Sequence, residues 1–181
     1  GGATTDNLTG AVTQTGVITT GTLVGNTAGD VTLLGANTIT NLGTFTSTGT
    51  GGFSLNDLGG LTVSGNVNNT SGAVSIVTTV SPLTISADIT ATSQSLTLTG
   101  VGINQTTGTI LAAGLTVNAG AGSIALTQAS NNLTGSVTLN STGASVAITD
   151  INAIDFAAST LGSGTFTVTA VGITQSGAIT V

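Results

Sequence analysis

Residues 74–98 read VSIVTTVSPLTISADITATSQSLTL, and three triplets within them share one pattern: Val74-Ser75-Ile76, Leu83-Thr84-Ile85 and Leu96-Thr97-Leu98. In each, two large apolar residues flank a small or hydroxyl residue. Successive side chains of an extended chain point to opposite faces, so each triplet sends two side chains into a core and one outward. The pattern continues on both sides. Val31-Thr32-Leu33 and Leu61-Thr62-Val63 precede it; Leu115-Thr116-Val117, Ile124-Ala125-Leu126, Val137-Thr138-Leu139, Val146-Ala147-Ile148 and Phe166-Thr167-Val168 follow. Gly, Asn, Ser and Asp separate the triplets at roughly 8–12-residue intervals, which is turn chemistry. No stretch carries a 3.6-residue apolar period long enough for a helix, and the abundance of Thr and Gly disfavours one further. The expected fold class is all-β.

Composition narrows the choices. Charged residues make up 3% of the 181, where an ordinary soluble domain carries about a quarter. There is no Lys, Arg, His, Cys, Met, Trp, Tyr or Glu; the titratable side chains are Asp6, Asp30, Asp57, Asp88, Asp150 and Asp155. A chain without cations cannot displace counterions from phosphates, so nucleic acid is not an expected partner. Electrostatic binding to anionic membranes is disfavoured for the same reason. Without Cys there is no disulfide framework and no thiolate metal site.

Mean hydropathy is positive, at +0.53, yet Thr, Ser, Asn or Gly interrupts every apolar stretch before the roughly 18 residues of a spanning helix. A transmembrane barrel would require aromatic girdles, and the aromatics are Phe45, Phe53, Phe156 and Phe166. Disorder combines low hydrophobicity with high net charge, whereas 39% of this chain is hydrophobic and β-branched residues abound. No initiator Met and no basic leader region are present, so the chain reads as a mature or excised piece.

Internal repetition separates a parallel solenoid from an antiparallel sandwich or barrel. Asn7-Leu8-Thr9-Gly10-Ala11-Val12-Thr13 returns as Asn132-Leu133-Thr134-Gly135-Ser136-Val137-Thr138. Val101-Gly102-Ile103-Asn104-Gln105 returns as Val171-Gly172-Ile173-Thr174-Gln175, and Val12-Thr13-Gln14 has a cousin in Ile173-Thr174-Gln175. Unequal spacing between copies suits stacked coils that absorb insertions in their turns. At roughly 20–25 residues per coil the whole of 1–181 forms one continuous solenoid of about seven to nine coils. At about 4.8 Å per coil the rod is on the order of 35–45 Å long. Burying two aliphatic side chains per strand contributes about 3–6 kcal/mol per strand before entropy, which explains how a nearly uncharged chain holds together. The single proline, Pro82, is expected at a strand start, where its missing N–H is tolerated.

These residues carry a resemblance. Ile103-Asn104-Gln105, Leu115-Thr116-Val117-Asn118-Ala119-Gly120, Asn131-Asn132-Leu133-Thr134-Gly135, Ile148-Thr149-Asp150-Ile151-Asn152-Ala153-Ile154-Asp155 and Ile173-Thr174-Gln175-Ser176-Gly177 resemble the repeats of filamentous-haemagglutinin-like bacterial exoproteins, large adhesins exported by two-partner secretion. Residues 12–99 resemble more degenerate repeats of that kind. The resemblance implies a right-handed parallel β-helix, display outside the cell or on the bacterial surface, and roles in adhesion, biofilm or fibres. The family's amino-terminal secretion cap is not recognisable here, so export by that route is expected of a parent chain only. The family offers no catalytic residues to carry over.

The expected function is structural and adhesive, with no enzymatic activity and no cofactor. Its partners are neighbouring repeats of a parent chain or a second copy, and the assembly residues are Ala178, Ile179, Thr180 and Val181, which read as an unfinished strand whose unpaired groups invite pairing. The alternative is a receptor- or glycan-binding adhesin module, for which a shallow groove lined by Asn and Thr on one face would be the mark. Polysaccharide lyases also use β-helices but need a Lys or Arg base. A glycosidase needs two carboxyls across a bond, and Asp150 and Asp155 read as turn residues instead. Gly29-Asp30 and Asn56-Asp57 lack the further oxygen ligands of a tight calcium site, so no metal is expected. Asn-x-Ser/Thr triplets at Asn7, Asn68, Asn69, Asn104, Asn132 and Asn140 are expected by chance in a Thr-rich chain. Thr44-Phe45-Thr46, Thr97-Leu98-Thr99 and Thr165-Phe166-Thr167 raise an ice-binding reading, which requires such triplets on one face of successive coils.

Overall fold

The computed structural model describes residues 3–181, with side chains from Leu8 onward, and among these every regular element is a strand. All strand pairs are parallel, and each links one coil to the next. One coil shows the plan. Leu61–Val63, Val67–Asn69 and Val74–Thr78 are three short strands joined by turns, and each pairs with its counterpart one coil later. Three ladders of strands therefore run along the axis. The chain winds through about eight such coils, a parallel β-solenoid.

Register explains the triplets. In the third ladder Val31, Phe53, Val74, Leu96, Leu115, Val137 and Phe156 lie one above another. Two residues further along, Leu33, Leu55, Ile76, Leu98, Val117 and Leu139 form a second file in the same ladder. In the first ladder Leu61, Leu83, Ile103, Ile124, Val146 and Phe166 stack likewise. All but Phe166 are buried. The core is thus one apolar column inside the three ladders, and each buried aliphatic side chain contributes about 1.5–3 kcal/mol relative to exposure. The step between stacked residues varies from 19 (Val12 to Val31) to 22 (Val31 to Phe53). Turns at the corners take up the difference while the ladders keep their register.

Two glycines are fixed by close approach. A Cβ on Gly25 would stand 2.6 Å from the ring of Phe45, which packs over it, and that ring also meets Phe53 at a centroid distance of 5.0 Å. A Cβ on Gly135 would stand 1.8 Å from the carbonyl oxygen of Ala113 in the preceding coil. Pro82 lies immediately before Leu83–Ile85, at a strand start. Ser93 is the one non-glycine among the described residues with a positive φ, 60°, and it occupies the bulge where the register slips between Ala91 and Ser95.

The internal copies do not all occupy equivalent places. Val12 and Val137 belong to the same file of the third ladder, in phase across six coil steps. Ile103 stacks in the first ladder, whereas Ile173 stacks on Ile154, in a different part of the coil. Gln175, not Ile173, stacks on Phe156 in the file that contains Val12. Any of the three ladders asks for the same turn-then-alternation pattern, so similar pentapeptides serve at different corners.

Candidate functional site

Where a coil turns from one ladder to the next, backbone N–H groups lose their strand partners and must find others. Buried side chains of the following coil supply them. Asn37 Oδ1 accepts from Ile18 N at 2.9 Å, and Asp57 Oδ1 accepts from Ile39 N at 2.7 Å. Asn131 Oδ1 accepts from Ile110 N at 2.9 Å, Asp150 Oδ1 from Leu133 N at 3.1 Å, and Ser159 Oγ from Leu139 N at 3.0 Å. Each of these five reaches back to the coil before it. Asn37 also pairs its amide with that of Gln14, and Gln105 and Asn131 exchange two amide hydrogen bonds at 2.8 Å inside the core.

Asp57 is fully buried, and its Oδ2 accepts from Gly59 N at 2.9 Å. Burial pushes its carboxyl above the usual range, against the opposing pull of the Ile39 and Gly59 N–H groups. Asp150 serves the backbone of a turn, as expected, while its Oδ2 is buried without a donor. Asp155 does something else. Its carboxylate faces outward and accepts from the hydroxyls of Thr174 at 2.9 Å and Ser176 at 2.6 Å, tying two coils together on the surface. The side chain of Asp6 lies outside the described residues. Among them no three acidic, His or Cys side chains converge, no enclosed pocket is found, and no helix is long and apolar enough to cross a membrane.

The outer surface consists of files of small polar side chains. Thr32, Ser54, Ser75, Thr97, Thr116 and Thr138 follow one another along the third ladder. Beside them Asn118 Nδ2 donates to Thr99 Oγ1 at 3.3 Å, and Asn140 Nδ2 donates to Asn118 Oδ1 at 2.9 Å, forming an amide ladder. The three Thr-x-Thr triplets fall on three different ladders. Phe45 stacks on Val67 in the second, Leu98 on Ile76 in the third, and Phe166 on Val146 in the first. Of the glycosylation triplets, Asn69 is fully buried and Asn140 is held in the amide ladder, Asn104 is exposed, and the side chain of Asn7 lies outside the described residues.

The assembly residues named from sequence lie in the coil that follows Ser159–Leu161. Ala178 O accepts from Ser159 N at 2.8 Å, and Ile179 and Thr180 stack on Ser159 and Thr160. Ile179 packs against the core, and Val181 is 80% exposed. Phe166, Val168 and Ala170 are half-buried against the core, and Ile173 is 59% exposed. Sequence reading missed the buried polar residues Asn69, Gln105 and Asn131, although alternation places Asn69 and Gln105 on the core-facing parity of Val67-Asn68-Asn69 and Ile103-Asn104-Gln105.

A family model described as "Repeats of unknown function (DUF5649)" matches residues 76–140 and again residues 143–181. No curated protein and no solved structure matches the chain significantly.

Proposed function

The chain belongs to this repeat family, whose two matched segments cover more than half of it, and from that premise we propose that it is structural material: a rigid solenoid rod of an extracellular or surface-attached bacterial protein of the filamentous-haemagglutinin-like kind, with no enzymatic role. The observation that carries the reading is the coil-on-coil stacking of three parallel ladders, interrupted by local bulges such as that between Ala91 and Ser95, around a single apolar core. Such a rod resists bending because every coil is bonded to its neighbours by backbone ladders and by the corner side chains. It presents hydroxyls and amides outward and almost no charge, which suits a spacer or fibre more than a catalyst. Its axial partners are further coils, supplied by neighbouring repeats of a parent chain or by a second copy stacking at the coil that contains Ala178, Ile179, Thr180 and Val181. A receptor- or glycan-binding role rests on the outward Asn and Thr files, whose amides on the third ladder are already engaged with one another.

Electron microscopy of the purified chain tests this reading. Filaments with an axial repeat near about 4.8 Å establish a self-assembling fibre subunit. Discrete rods of uniform length assign a spacer or adhesin module, and a glycan-binding screen then separates those two. Cleavage of a polysaccharide by the purified chain, abolished by replacing Asp150 and Asp155 with Asn, would overturn the structural role.

A further inference from the structure

We draw no further inference here: the strongest candidate, the file of outward hydroxyls Thr32, Ser54, Ser75, Thr97, Thr116 and Thr138 along the third ladder, is a stripe of small side chains, and nothing in the structure shows what covers it.

Discussion

The coils before Thr78 and those after Gln105 fill the same interior differently. On the amino-terminal side two corners are polar. Thr27, Ser47 and Asn69 stack at one, with Asn69 Nδ2 donating to Ser47 Oγ at 2.6 Å, and Asn37, Asp57 and Thr78 stack at another. Further along, the first of these files becomes Ala91, Ala112 and Leu133. The second passes through Ala119 and Ser141 to Leu161. From Gln105 onward the larger buried polar groups stand at the corner between the first and second ladders, as Gln105, Asn131 and Asp150, with the small hydroxyls of Ser141 and Ser159 buried elsewhere. Between Thr78 and Gln105 no polar side chain is buried, and the family match begins just before this stretch, at residue 76. The difference teaches that no particular corner must be polar. What each coil requires is an acceptor wherever the ladders leave an N–H unpaired, and a corner that closes with backbone bonds alone can be apolar.

If that is right, the corner that carries most unpaired groups should cost most to break. Asn131→Ala orphans the Ile110 N–H and the Gln105 Oε1, and leaves the Gln105 Nε2 only the Gly108 carbonyl, so we expect a loss of about 2–4 kcal/mol in chemical denaturation. A loss below about 1 kcal/mol would mean that the carboxyl-side corner is not held by this pair. Close stacking should come next. Gly135→Ala is expected to lose about 1–3 kcal/mol through its clash with the Ala113 carbonyl, while Gly10→Ala, with nothing within 4 Å, should stay within about 0.5 kcal/mol of the parent. Equal thermal midpoints for the two variants would refute the coil spacing. On the amino-terminal side Ser47→Ala removes a single hydrogen-bond partner from Asn69, and about 1 kcal/mol is expected. A cost matching that of Asn131→Ala would erase the contrast between the two regions.

Between the regions, Ser93→Gly should raise stability by about 0.5–1 kcal/mol, because glycine accepts the left-handed conformation without a Cβ penalty. An unchanged or lowered melting temperature would remove strain from the account of that bulge. The smallest effect is a pH slope. Burial raises the Asp57 carboxyl above its value in the unfolded chain, so the native state holds this proton to higher pH. The stability it contributes is complete below about pH 4 and is lost as pH rises through the raised value. Unfolding midpoints measured between pH 3 and 7 should therefore decline more steeply for the parent than for Asp57→Asn, whatever the absolute stability of that variant. Parallel profiles would show that the group does not titrate differently on folding.

How much of this was legible in sequence depends on the range of the signal. Alternation is local and two residues long, so Leu83-Thr84-Ile85 and its relatives announced strands, faces and core without any knowledge of neighbours. Parallel stacking was legible from imperfect internal copies, and the expected seven to nine coils agree with the roughly eight observed. The phase of those copies was not legible. Val101-Gly102-Ile103 and Val171-Gly172-Ile173 look alike because a turn glycine before an alternating strand is needed at every corner, whichever ladder follows. The corner acceptors were half legible. Asp150 read as a turn residue from its type alone, but Asn131 meets a partner 26 residues away in Gln105, and no local pattern encodes that distance. Asp155 read as a turn residue too, yet its position in the strand Ala153–Phe156 turns it outward toward hydroxyls of the next coil.

The unequal coil lengths have a consequence for ancestry. Because each ladder re-establishes its register after every corner, a gene segment that is duplicated, trimmed or lengthened by a few codons leaves no cumulative error downstream, unlike a change in a coiled coil or a closed barrel. Recombination need only join one strand end to the start of another ladder, and the near-identity of the three ladders makes many such joints acceptable. The 70-residue recurrence of Val101 at Val171, which lands on a different ladder, is what a lineage built by such imprecise splicing would leave behind.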